Sequence, residues 1–456
     1  MKDELVKNQI YTAEITSYTS EGAGVCRVRG RAVFVPGTLQ GEIWEIKLVK
    51  VGKTAVWARG ERCLQASEQR REPVCPLFKS CGGCALQHMS YEEELHFKQE
   101  RVRETLLRIG GAEPVMDHIR AANLSRPWRY KVIFAVGERD GEPVTGYYRP
   151  RSHEIVPVEN CPAVPLAANR AAAAVRRWMC ALEIPAYNEA LGQDGIRHLL
   201  VRVSASSGKS MVCLASSREL SGHEIRALTE KLRFACPEMT SLALCLNRTR
   251  GNTVLAGEFR TLWGNDTLED MLCGLRFALS PASFFQVNPP QAEQLYDLAL
   301  SLAAPKADET VLDLYCGAGT ISLCLAQRAG QVIGVEVIDA AVENAKRSAQ
   351  ENNVLNAEFL CADAEKAVEI FCQRGLHPQL VIVDPPRKGL AEGVISCIAE
   401  LAPERVVYVS CDPGTLARDL RRFADAGYEA VRGCTVDMFP RTSHVETVVL
   451  LSKADK

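Results

Sequence analysis

The chain has 456 residues, 47% of them hydrophobic and 24% charged, and carries a formal net charge of −2. Its length predicts roughly two to four domains. No apolar run approaches the roughly 20 residues of a membrane span, and no signal-peptide core follows Met1, so a cytoplasmic protein with no membrane partner is expected. Charge this close to neutral excludes a strong global field for nucleic acid, leaving that role to local patches.

Strands are predicted at Tyr11–Ser17, Gly24–Arg29, Ala32–Phe34, Ile43–Val51 and Lys53–Arg59, with turns at Pro36-Gly37 and Gly52-Lys53. Short strands at this spacing suggest a small OB-type barrel. Residues 1–66 hold ten Lys/Arg against seven Asp/Glu, an excess that suits a nucleic-acid surface or an ordinary barrel exterior. Next come Cys75, Cys81 and Cys84 and a charged helix from Tyr91 to about Ile109. The stretch from Trp128 to Phe277 is mixed α+β, with strands at Tyr130–Val136, Leu199–Ser204 and Ser241–Leu246. Within it Tyr147, Tyr148, Arg149 and Arg151 read either as RNA contacts, by stacking and phosphate pairing, or as a solvated hairpin tip.

From about Pro290, strands alternate with helices: strands at Thr310–Tyr315, Val332–Val337, Ala357–Cys361, Leu380–Val383, Arg405–Ser410 and Val445–Leu451, and helices at Ile321–Ala329, Ile338–Asn352 and Pro413–Asp425. This alternation predicts an open, mainly parallel α/β sheet whose ligands sit beyond the carboxyl ends of the strands. The expected domains are therefore 1–66, a barrel; 67–289, a central α+β domain; and 290–456, the α/β domain.

The first α/β strand runs into Tyr315-Cys-Gly317-Ala-Gly319-Thr-Ile-Ser322, where glycines let the backbone approach a ligand. A dinucleotide site wants a third glycine where Ser322 stands. The second strand ends at Glu336, an acid placed to accept hydrogen bonds from ribose hydroxyls. Together they suit an adenosyl cofactor without a pyrophosphate. The fourth strand ends in Asp384-Pro-Pro-Arg387; the prolines hold Asp384 beside the cofactor, unless it simply caps the next turn. Arg387 stands where amine methylases place a stacking aromatic, which argues against an amine acceptor. Gln286, in Ser-Phe-Phe-Gln, is a candidate to close over the cofactor or orient the acceptor base.

The fifth strand ends in Ser410-Cys411-Asp-Pro-Gly. Methylation of carbon 5 of uracil needs a nucleophile on carbon 6, and a thiolate at a helix N-terminus, its pKa lowered there, suits that step. Departure of the carbon 5 hydrogen then needs a base. Glu446, set in an apolar strand where a carboxylate is costly, supplies one or else is a paired structural acid; His444 reads as a helper.

Cys75, Cys81 and Cys84, spaced x5 and x2, with a remote Cys161 before Pro162, favour an iron–sulfur cluster, with zinc as the alternative. Cys213, Cys245, Cys324 and Cys361 lie in apolar runs and read as core.

These segments together resemble the bacterial RNA uracil-5-methyltransferase family along nearly the whole chain. The resemblance implies a class I Rossmann-like domain that uses S-adenosyl-L-methionine, an N-terminal TRAM domain and a 4Fe-4S cluster on Cys75, Cys81, Cys84 and Cys161. It assigns cofactor contacts to Gln286, Tyr315, Gly317, Glu336 and Asp384, the nucleophile to Cys411 and the base to Glu446. The best-known relatives acting on the transfer-RNA T-loop lack the TRAM domain and the cluster, so 23S rRNA is the implied partner and a monomer the default. A radical methyltransferase, which wants a C-x3-C-x2-C triad, and a non-catalytic RNA-binding factor are the rival readings.

Overall fold

Alternating branched and polar residues near the start of the chain build a six-stranded sheet. Its strands are β1 (Ile10–Glu14), β2 (Ser17–Tyr18), β3 (Gly24–Val28), β4 (Arg31–Val35), β5 (Ile43–Val51) and β6 (Val56–Gln65), ordered β1-β5-β6-β4-β3-β2. The expected strand Tyr11–Ser17 is split, because Ile15 and Thr16 turn to bond Glu42 O and Val25 O. Val33, Val35, Ile46, Leu48 and Val56 share the buried face, as the period-2 pattern requires. Buried Glu42 ties the barrel's exit: it accepts from Arg70 Nη2 at 2.6 Å, Trp44 Nε1 at 2.7 Å and Leu39 N at 2.8 Å. Burial alone would raise its pKa, yet these donors, Arg70 foremost, hold it below the usual range.

This computed structural model describes residues 5–454 apart from 189, 252 and 374. The chain forms two units: Met1–Val102 with Phe439–His444, and Arg103–Met438 with Val445–Lys456. The first also holds most of α1 (Tyr91–Thr105). The helix expected to run to Ile109 ends in a π turn, Leu106–Gly110, closed by Gly111 at φ 61°.

In the second unit, after β7 (Val115–Met116), come β8 (Lys131–Arg139), β9 (Glu142–Tyr148), β10 (Ile155–Pro157), α2 (Leu166–Ala181), β11 (Ile196–Val203), β12 (Ser210–Ser216), α3 (Gly222–Ala235), β13 (Met239–Leu246) and β14 (Glu258–Gly264). The strands form one sheet, β10-β9-β8-β11-β12-β13-β14. Alanines of α2 pack into its core beside fully buried Trp178, whose Nε1 donates to Glu224 O at 3.0 Å.

A hairpin, β15 (Leu268–Leu272) and β16 (Leu275–Leu279), and α4 (Pro289–Ala303) lead into the α/β fold. There β17 (Thr310–Leu314), α5 (Thr320–Ala326), β18 (Gln331–Glu336), α6 (Asp339–Glu351), β19 (Ala357–Cys361), α7 (Ala364–Gln373), β20 (Leu380–Val383), α8 (Glu392–Leu401), β21 (Arg405–Ser410), α9 (Pro413–Asp425), β22 (Tyr428–Val436) and β23 (Glu446–Lys453) follow. The sheet order is β19-β18-β17-β20-β21-β23-β22-β7, parallel from β19 to β21, with β23 antiparallel to both neighbours. Its central strands, such as Leu380–Val383, are buried on both faces and therefore continuously apolar. Among the described residues no helix is long and apolar enough to cross a membrane.

Candidate active site

Strand register brings the motif residues together. Leu314 pairs with Val335 and Val383, and Val383 with Tyr408. Tyr315, Glu336 and Asp384 thus stand at or just beyond neighbouring strand ends, at the carboxyl edge where α/β sheets bind ligands. On the other side of β21, Ser410 pairs with Thr447, so one further step sets Cys411 opposite Glu446.

The turn after β17 is conformationally demanding. Tyr315 has φ 67°, unusual for a residue with a side chain, followed by Gly317 at 54° and Gly319 at 77°. A Cβ on Gly319 would lie 2.9 Å from Phe359 and Ala345, whereas Gly317 faces open space. Glu336 accepts from Gly317 N at 3.1 Å and from Val337 and Ile338 N at 2.9 Å each. Val337 and Ile338 are largely exposed beside it, an apolar surface available to cover a ligand ring. Ser322, in the place of the third glycine, donates to Asp313 instead. Burial pushes Asp313 up to about 7.

Cys411 is held in a tight strand-to-helix turn, with Ser410 Oγ accepting from Asp412 N at 3.1 Å and donating to Asp412 O at 3.0 Å. Contrary to the sequence expectation, its thiol is pushed up, to about 11, by burial and then by Glu446 and Asp384, with Arg387 and a backbone hydrogen bond opposing. Asp412 Oδ1 caps the helix that follows, accepting from the Thr415 amide at 2.9 Å. Burial raises Asp384 to about 7. Glu446 is raised to about 8 by burial and by Asp384, against Arg387. Two proton-exchanging carboxyls and a neutral thiol therefore share one electrostatic neighbourhood with one exposed guanidinium. That influence of Arg387 on both partners was not inferred from the sequence, where the Asp-Pro-Pro-Arg run was its only signal.

Gln286 is half-buried in the loop between β16 and α4. Phe285, packed on Phe277, and Asn288, donating to Met438 O at 2.9 Å, pin that loop. His444 belongs to the first unit, its ring edge-on to Phe439 at 5.9 Å. Tyr147 is not an outward RNA contact: it packs on Phe134 and its hydroxyl donates to Cys161 Sγ at 3.9 Å. Tyr148, Arg149 and Arg151 do face solvent.

Cys75, Cys81 and Cys84 lie half-buried in the first unit and Cys161 half-buried in the second. Among the described residues no three His, Cys, Asp or Glu side chains are assembled as an ion site. Half-buried thiols have the chemistry that such a cluster takes as ligands.

Residues 265–454 match the family model described as tRNA (Uracil-5-)-methyltransferase, and residues 5–58 match the TRAM domain. An uncharacterized RNA methyltransferase of Clostridium tetani is 38% identical, the match covering 98% of this chain and 97% of the relative. One of Halalkalibacterium halodurans is 40% identical over 98% of this chain and 97% of its own length. Among solved structures, Pyrococcus abyssi tRNA (uracil-54, C5)-methyltransferase, in complex with S-adenosyl-L-homocysteine, superposes with a TM-score of 0.76 at 25% identity, covering 97% of this chain and all of that one. With a class I methyltransferase fold, a TRAM domain and full-length relatives of this kind, the chain belongs to the RNA uracil-5-methyltransferase family.

Proposed function

We propose that the protein transfers a methyl group from S-adenosylmethionine to carbon 5 of a uridine in 23S rRNA through a covalent Cys411–uracil adduct. The observation that carries this reading is the opposition of Cys411 and Glu446 across β21 and β23, beside the raised carboxyl of Asp384. When bound, S-adenosylmethionine supplies an electrophilic methyl group. Tyr315, Gly317 and Glu336 hold it, with Gln286 and Asp384 toward the acceptor; the open face of Gly317 and the Glu336 acceptor suit an adenosyl ligand.

Cys411 Sγ adds to carbon 6 of the uracil, its proton passing to solvent as the ring becomes an enolate. Carbon 5 takes the methyl group, the sulfur–methyl bond breaking with its electron pair left on sulfur. Glu446, ionised, takes the hydrogen of carbon 5 as a proton, and the carbon–sulfur bond breaks to restore ring and thiolate. The target base is flipped out of its stack to reach the strand ends, with exposed Tyr148 and Arg151 and the barrel surface as further RNA contacts.

The barrel (1–66), the central segment (67–289) and the α/β domain (290–456) act as RNA-binding, cluster-bearing and catalytic parts of a cytoplasmic monomer. Cys75, Cys81, Cys84 and Cys161 hold a 4Fe-4S cluster, structural since methyl transfer needs no electron; their spacing supports it. Anaerobic reconstitution should give about four irons per chain and a visible charge-transfer band, lost in Cys161→Ser; one zinc per chain and no band would refute it.

The substrate test incubates the anaerobically purified protein with labelled cofactor and separate undermethylated ribosomal and transfer RNAs, then locates the methyl group by mass spectrometry of fragments. A ribosomal 5-methyluridine supports the reading. Transfer RNA is the second reading, favoured because a tRNA enzyme shares the fold over 97% of this chain, so the N-terminal module does not itself separate the two substrates. Labelling of neither overturns the enzymatic reading.

A further inference from the structure

Fully buried Glu94 and Lys98, one turn apart on α1, pair at 2.7 Å. A buried ion pair is a weak source of stability, because desolvation offsets attraction, so what else the two groups hold becomes informative. Glu94 Oε1 accepts from Arg441 N at 2.6 Å and its Oε2 from Arg441 Nη1 at 3.2 Å. Lys98 Nζ donates to Phe439 O at 3.2 Å, and Arg101 Nη1 to Ser443 O at 2.7 Å. Arg441 O accepts from the amides of Ala85 and Leu86 at 2.8 and 3.1 Å. Arg441 sits at φ 66°, a costly value for a non-glycine residue, and its amide, carbonyl and guanidinium are all tied down.

The six residues Phe439–His444 thus belong to the first unit, although the chain on both sides belongs to the second. Thr442 closes the segment locally, donating its hydroxyl to Phe439 O at 2.8 Å and accepting from His444 N at 3.3 Å. Glu446 follows two residues after the segment ends, where β23 begins and pairs it with Val436, whereas Cys411 hangs from β21.

We propose that Glu94 is a positioning residue for Glu446: through Lys98 and Arg441 it anchors the Phe439–His444 segment and so sets where the base stands. This rests on the reading of Cys411 as nucleophile and Glu446 as base. A misplacement of about 1 Å is enough to cost on the order of 10²-fold in rate. The loss should fall on the step that Glu446 performs and spare the step that Cys411 performs.

The test uses full-length holoprotein, labelled cofactor and methyl-deficient RNA, and reads turnover and denaturant-stable RNA–protein adduct separately. Glu94→Gln should lose turnover on the order of 10²-fold while methylated adduct accumulates, as it should in Glu446→Gln, with Glu94→Asp partly restoring turnover. If Glu94→Gln does not fold, Arg441→Lys, which keeps the charge but not the forked geometry, carries the same expectation. Adduct and turnover falling together in folded protein would overturn the positioning role. Absence of adduct in Glu446→Gln would instead overturn the underlying reading of the base.

Discussion

Two glutamates at the same edge of the α/β sheet show how environment divides labour. Glu336 accepts three backbone amides at 2.9–3.1 Å and is thereby fixed as an acceptor. Glu446 lies on an apolar strand, buried, with its pKa raised to about 8 by burial and Asp384. A carboxylate held by amides presents lone pairs, whereas one held in an apolar wall exchanges protons near neutral pH. The first suits cofactor recognition and the second suits acid–base work.

The sharpest way to break this contrast is to neutralise each glutamate in turn. Glu446→Gln should lower turnover on the order of 10²- to 10⁴-fold while cofactor affinity, read by calorimetry, stays close to wild type. Glu336→Gln should do the reverse: one amide oxygen cannot replace both carboxylate oxygens, so affinity falls by about tenfold and turnover at saturating cofactor is largely kept. Equal losses of both parameters in both variants would erase the distinction.

A smaller effect appears in stability. Glu446 has a folded pKa of about 8 against an ordinary value of 4.5, so the folded state binds its proton more tightly than the unfolded state. Its contribution is full below pH 4.5 and is lost as pH rises to about 8. Glutamine has no such loss. The melting temperature of Glu446→Gln relative to wild type should therefore climb across that window and level off above it, by up to a few kcal/mol in free energy. A difference that is flat with pH would mean that the carboxyl is not buried as described.

Much of this edge was legible in the sequence. The strand Leu380–Val383 is buried on both faces, so it reads as an apolar run leading into its motif residue Asp384. The alanine helix Leu166–Ala181 and the strand Tyr428–Val436 were not anticipated, because small or half-exposed residues blur both periods. The direction of the Cys411 shift was misjudged: the helix end favoured a thiolate, but burial beside two carboxyls dominates. The attachment of Phe439–His444 to the first unit rests on bonds to Glu94 and Lys98, more than 340 residues away, which no local pattern carries.

The most direct test of the covalent account is to trap the adduct with RNA containing 5-fluorouridine, whose carbon 5 offers no hydrogen for Glu446 to remove. Digestion and peptide mass analysis should find the methylated fluorouridine attached to the peptide carrying Cys411, and no adduct with Cys411→Ala. An adduct on another residue, or methyl transfer that proceeds unchanged in Cys411→Ala, would contradict it.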